Sequence, residues 1–362
     1  MALKSLQSRK VLLFIAVGLT AFILYLNYYV GTGNFLEEIK RANTYYYTSA
    51  FIAFIVAGFF SALSWHTLLG NLNVKSSIRR ALLLTWAGYF FDATLPEPGW
   101  SGDISKSYIL SKESDEDVGK IVASVVGQKI IGMAGTILIL ILGFGILLVN
   151  YAVPQSVLVF LGGVMAVSVG SFAIVYYLSI SPKGTQKMLN FLIRILSFIL
   201  RSRFNETQYR ANAEKFLYTF HKGIDMLRAD KKALSRPIAF YTLSVVFDVS
   251  IVFFVFTALG YPVPVDKGLI VYALTGSLAS IGVSFVGLTE IIMTTAYQVL
   301  LIPLAVSFSV TLLTRVVTLW FKLVTGYVAF QWAGVGILLG KKPKSDAPLE
   351  PDGKKSAAKG EP

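Results

Sequence analysis

The chain has 362 residues, 55% hydrophobic and only 15% charged, with a mean hydropathy of +0.65. A soluble domain carries about a quarter charged residues, so a soluble enzyme or nucleic-acid-binding module is excluded, and the net charge of +13 reads as the positive flanks of membrane helices. Cysteine is absent and the two histidines, His66 and His221, lack a second histidine at metal-ligand spacing, which excludes disulfides and thiolate chemistry and leaves no metal or other cofactor expected.

Residues 11–30 follow Lys4, Arg9 and Lys10 as an apolar run too long for a signal-peptide core, and read as a retained first crossing. At about 20 apolar residues per crossing, six full spans are predicted, at 11–30, 45–66, 120–149, 155–180, 237–260 and 303–340. Trp65 and His66 at the end of the second span read as interfacial anchors, as do the tyrosines at 28–29 and 45–47. Two further apolar stretches are interrupted. Residues 78–110 break at Leu95-Pro96-Glu97-Pro98-Gly99, where prolines and a glycine stop a helix, and residues 267–301 break around Ser284-Phe285-Val286-Gly287. Residues 182–236 carry twelve Lys and Arg against four Asp and Glu. The first part, 188–200, has an apolar face with Arg194, Arg201 and Arg203 nearby, as expected of a helix lying on anionic lipid and not on nucleic acid. From Lys341 onward, Lys, Pro, Asp, Glu, Gly and Ala mix without periodicity. Residues 1–340 therefore read as one membrane domain and 341–362 as a disordered cytoplasmic tail.

Placing the N-terminus in the cytoplasm puts 26 of the 33 Lys and Arg residues on that side, three on the other and four at membrane depth. Positive residues resist translocation, so both termini are expected in the cytoplasm of a multi-pass cell-membrane protein. Residues 78–110 then start and end inside, and 267–301 start and end outside. The fold class is accordingly all-α, with about six full spans and two opposite-facing re-entrant helical hairpins arranged as an inverted repeat. Broken helices meeting at midplane can coordinate a polar substrate.

Each interrupted stretch carries a carboxylate beside glycine, followed about one crossing later by a lone cation. Asp103 precedes Lys129 by 26 positions and Glu290 precedes Arg315 by 25. Ionisable groups at this depth cost roughly 2.5–3.5 kcal/mol each on insertion scales, so their retention points to use. Asp103 and Lys106, three apart, share a helix face, and Ser101 or Asp103 can cap that helix. Lys129, about nine residues into its helix, lies roughly 13 Å deep. Arg315 and Lys322, seven apart, share a face of the last span. Asp92, Asp248 and Ser101 are supporting candidates. Glu113, Asp115, Glu116 and Asp117, the one acid cluster an enzyme could use at the cytoplasmic face, read as solvated.

Pro98-Gly-Trp-Ser-Gly-Asp103-Ile-Ser-Lys106, Lys129, Gly287-Leu-Thr-Glu290 and Arg315 resemble the lysylphosphatidylglycerol synthase transmembrane-region family, also called flippase-like membrane proteins, over residues 11–339. The family pattern reads Gly-Glu-x-x-Arg where this chain has Gly102-Asp103 and Lys106, Glu-Arg where it has Gln128-Lys129, and Pro-Gly-Gly where it has Phe285-Val286-Gly287. Bidentate arginine recognition is lost at Lys106 and Lys129. The resemblance implies a lipid flippase-like transporter whose substrate site comprises Asp103, Lys106, Lys129, Glu290, Arg315 and Lys322. Its partner would be an anionic or phosphate-bearing membrane lipid, either a phospholipid or a polyprenyl-phosphate-linked one. The alternative is a non-catalytic membrane subunit or scaffold for a separate glycosyltransferase or lipid synthase. Lacking the aminoacyl-transferring domain of bifunctional relatives, the chain alone is not expected to make aminoacylated lipid.

Overall fold

The computed structural model describes residues 40, 42–94, 100–200, 206–280 and 287–333, and among them the regular structure is helical throughout. The predicted crossing at 11–30, the tyrosines at 28–29, the turn at 95–99, Ser284, Phe285 and Val286 of the second interruption, Arg201, Arg203 and the tail from 341 lie outside the described residues.

Helix α1, Thr44–Asn71, begins where the Asn43 side chain accepts the Tyr45 N–H at 3.0 Å, satisfying one of the donors a helix start leaves open. It runs five residues past the predicted span. Asn73, at φ 55°, turns the chain, and the Ser77 hydroxyl accepts the Arg80 N–H at the start of α2, Ile78–Thr94. Helix α3, Ser101–Ser114, doubles back on α2. The pairing is antiparallel, because Arg80 meets Glu113 while Gly102 meets Gly88 and Asp92. At 1.5 Å per residue α2 and α3 are about 25 and 21 Å long, short of a 30 Å hydrocarbon layer. The long helices α4, Val118–Asn150, and α5, Gln155–Ile180, follow.

Helix α6, Pro182–Leu200, leaves α5 after the single residue Ser181 and exposes Met188, Phe191, Leu192 and Ile195. Helix α7, Glu206–Ala229, returns along α4, and α8 is Ser235–Ala258. Helices α9, Val265–Ser280, and α10, Leu288–Val299, form the second short pair. The last span is α11, Leu304–Arg315, a π-helical turn at Val316–Phe321, and α12, Lys322–Ala333. Five of the predicted crossings thus appear as helices long and apolar enough to span a membrane, α1, α4, α5, α8 and the composite last span; the protein is a polytopic helical membrane protein.

Packing sorts these helices into two cores. One joins the first half of α1 (Ala50, Phe54) to Ile251, Val255 and Phe256 of α8 and to Tyr297, Val310 and Val317. The other joins the second half of α1 (Trp65, Leu68, Leu69) to α2, α3, α4 and α7, and to Ala329 and Ala333 of α12. Helix α1 belongs to both and lies along α8, with Ser244 and Ser64 hydroxyls donating to the Ala57 and Pro237 carbonyls at 2.8 and 2.9 Å. Two other pairings cross between the chain's halves. Helix α12 packs on α2, where Gly326 lies against the Phe90 and Trp86 backbone, and α4 packs on α9, where Gly143 lies against Ile270. Small residues here let the backbones approach closely.

A Cβ on Gly326 would lie 2.6 Å from the Phe90 amide nitrogen, a clash that no rotamer relieves. Gly326→Val is therefore expected to cost about 1–3 kcal/mol. Gly162→Ala, on an α5 face with open space around it, is expected to be neutral or to stabilise by up to about 1 kcal/mol. Unfolding midpoints of the two purified variants in detergent, against the parent chain, check both.

Candidate functional site

Where the two cores meet, a cavity of about 390 Å³ opens between α1, α2, α3, α4, α8, α9 and the last span. Its charged lining comprises Lys106, Lys129, Arg315 and Lys322 against Asp92, Asp103 and Asp248. Glu290 is 2% exposed and stands behind Arg315.

The first group is built around Asp103. It lies in the first turn of α3, where the helix N-terminus favours negative charge. One carboxylate oxygen meets Lys106 Nζ at 2.7 Å and the other Lys129 Nζ at 3.0 Å. Both cations also lie over indole rings, Lys106 at 4.8 Å from the Trp65 centroid and Lys129 at 4.7 Å from that of Trp100. A ring face attracts a cation and replaces part of its lost hydration. Asp103 is thus an ion-pair hub and not a cap. Nor does Ser101 cap α3: its hydroxyl donates to the Phe91 carbonyl at 3.2 Å and to Asp92 at 3.3 Å. The cap arrives from across the turn, because Asp92 Oδ1 accepts the Gly102 N–H at 2.8 Å. Lys322 of α12 approaches the other oxygen of Asp92 at 3.8 Å and the Tyr89 ring centroid at 4.7 Å.

The second group is built around Glu290 at the start of α10. Gly287, at φ 90°, turns the chain into the helix in a conformation that side chains resist. One Glu290 oxygen reaches back to accept the Gly287 N–H at 2.6 Å, which is half of a capping box. The other accepts Arg315 Nε at 2.6 Å. Asp248, on α8, accepts the Tyr272 hydroxyl of α9 at 2.9 Å.

The predicted partners Asp103–Lys129 and Glu290–Arg315 are therefore brought together, and Lys106, Lys322, Asp92 and Asp248 join them at one cavity. Ser101 lies beside it as a hydrogen-bond donor. Gln128, where the resembling family has an acid, uses its amide to donate to the Ser61 carbonyl at 2.8 Å, tying α4 to α1 without a cation.

Sequence reasoning missed the aromatic seats. Trp65, expected at a membrane interface, is fully buried and donates its indole N–H to Ser124 at 2.9 Å. His66 likewise lies five residues inside the end of α1. The signal lay in spacing: Trp65 at the level of a buried lysine is indistinguishable from a belt residue until the end of α1 is known. The acids at 113–117 are not simply solvated either. Glu113 pairs with Arg80, which also donates to the Ala333 carbonyl, and Glu116 and Asp117 meet Lys120 and Lys215.

A family model described as the lysylphosphatidylglycerol synthase TM region matches residues 11–326. A UPF0104 membrane protein of Pyrococcus horikoshii is 23% identical over 320 residues, covering 87% of this chain and 94% of the relative. One of Methanocaldococcus jannaschii is 25% identical over 319 residues, covering 85% and 90%. One of Methanothermobacter thermautotrophicus is 20% identical over 328 residues, covering 89% and 94%. No solved structure matches.

Glu290 and Arg315 have side chains only 3% and 11% exposed. Removing one partner strands the other's charge, so Glu290→Ala is expected to cost about 3–5 kcal/mol. Glu290→Ala with Arg315→Ala is expected to cost less than the two single changes combined. A double-mutant cycle on unfolding in detergent measures the coupling, and additive effects would refute it.

Proposed function

Because the chain belongs to the lysylphosphatidylglycerol synthase TM region family, whose model matches residues 11–326, we propose that it is a flippase-like transporter. It moves an anionic or phosphate-bearing lipid, a phospholipid or a polyprenyl-phosphate-linked one, between leaflets of the cell membrane. The observation that carries this reading is the single cavity in which four cations from α3, α4 and both parts of the last span are held by carboxylates. Lysine and arginine donors of this kind suit phosphate oxygens. The lining holds four cations against three carboxylates, with Glu290 behind Arg315 as the fourth. Asp103 and Glu290 position the cations, Lys106, Lys129, Arg315 and Lys322 engage the head group, and Asp92, Ser101 and Asp248 support them.

Alternating access supplies the mechanism. In this reading α2–α3 enters from the cytoplasm and α9–α10 from outside, as opposite-facing re-entrant hairpins of an inverted repeat with both termini inside. Reciprocal packing supports it. The first arm of each hairpin lies against the long helix that follows the other hairpin, α2 on α12 and α9 on α4. The second arm of each places its carboxylate on the cation of the long helix that follows it. A second reading, a membrane subunit or scaffold for a separate lipid-modifying transferase, draws on the word synthase in the family description.

Two measurements test the proposal. Reconstituted chain is expected to move fluorescent phosphatidylglycerol across vesicles faster than empty vesicles do. Lys129→Ala and Lys322→Ala are each expected to slow it tenfold or more, as a charge-assisted hydrogen bond contributes about 1.5–3 kcal/mol; no acceleration for any anionic or isoprenoid-phosphate lipid would leave the scaffold reading. In this cysteine-free chain, single cysteines at Lys75 and Asp117 are expected to label from the cytoplasm, and those at Val265 and Leu301 from outside. Labelling of Lys75 and Asp117 from opposite sides would remove the first re-entrant hairpin.

A further inference from the structure

Three of the four carboxylates in or behind the cavity lining have cations: Asp103 holds Lys106 and Lys129, Glu290 holds Arg315, and Asp92 faces Lys322. The fourth, Asp248, forms no ion pair among the described residues, and its hydrogen bond comes from the neutral Tyr272 hydroxyl. It sits on α8, whose neighbours are α1, α4, α9 and α11. From these elements the titratable and charged groups at the cavity are Lys129 of α4, Tyr272 of α9 and Arg315 of α11, while α1 contributes Ser61 and apolar groups. Tyr241 of α8 itself, Tyr89 of α2 and Lys322 of α12 lie within its electrostatic reach.

A carboxylate without a cation in an apolar layer is costly to keep charged, and a cavity gives it access to water. On the reading that the cavity carries a lipid head group, we propose that Asp248 binds a proton as the anionic head group enters and releases it as the head group leaves, coupling lipid movement to a proton. The step is an O–H bond formed on one Asp248 oxygen with a proton from cavity water, and the same bond broken on release. With Glu290 behind Arg315, four carboxylates balance four cations, and protonation of Asp248 leaves one net positive charge for the anion. Linkage is reciprocal: the proton strengthens anion binding by the factor by which the anion strengthens proton binding. One linked proton makes anion affinity change by up to about tenfold per pH unit.

Infrared titration of the purified full chain in lipid reads the site directly. A protonated-carboxyl band is expected to grow on acidification and to vanish in Asp248→Asn. In vesicles, flux of fluorescent phosphatidylglycerol is expected to rise with acidity, by up to about tenfold per pH unit, and to lose that dependence in Asp248→Asn. Flux with the same pH dependence in Asp248→Asn, or a band that this variant retains, overturns the proposal and leaves the transport reading standing. An Asp248-dependent band without flux of any lipid overturns the transport reading and with it the coupling, leaving a proton site.

Discussion

The cost of charge in an apolar layer governs this architecture. Four cations at one cavity are tolerable only if each has a carboxylate or a ring face against it, and each does: Lys106 and Lys129 share Asp103 and lie over Trp65 and Trp100, Arg315 has Glu290, and Lys322 has Asp92 and Tyr89. Helices that start at the cavity favour carboxylates there, because their first turns carry open N–H groups and a positive dipole end. Asp103 and Glu290 both sit in such first turns. The interruptions of the two short helix pairs are thus the means by which negative charge is brought to the positive charge of the long spans.

Housing seven charged side chains at one cavity divides the apolar core. The two hydrophobic clusters lie to either side and are held to each other by α1, which contributes to both, and by close helix contacts at Gly326 and Gly143. The Arg80–Glu113 pair, with Arg80 also bound to the Ala333 carbonyl, ties the open end of the first short pair to the end of α12. Rigid packing at the periphery and a polar centre are two sides of one arrangement.

Much of this was legible in the sequence. Spans of unbroken hydrophobicity were found because twenty apolar residues have few alternative uses. The ion pairs were found because spacings of 26 and 25, with a turn about midway, return a base to the level of its acid. What escaped were contacts that no local pattern encodes. Asp92 caps α3 from the far side of a turn, whereas cap rules look for a neighbour within the same helix. Trp65 was taken for a belt residue because aromatic belts and aromatic cation seats have the same composition, and only the extension of α1 to Asn71 separates them. One carboxylate, Asp103, serves two lysines at once, a sharing that spacing alone does not reveal.

The π turn at Val316–Phe321 has its own consequence. Val310 and Leu313 before it and Val317 within it face one core; after it, Ala329 and Ala333 face the other, and Gly326 lies on α2. On an ideal α-helix of 3.6 residues per turn, positions 317 and 326 point in opposite directions, and a widened turn between them re-aims the second half. The last span is therefore two helical segments joined in series, and the residues it gives to the cavity, Thr314, Arg315, Thr318 and Lys322, lie in or beside the widened turn that joins them. The span brings its charge to the cavity where its regular winding is interrupted.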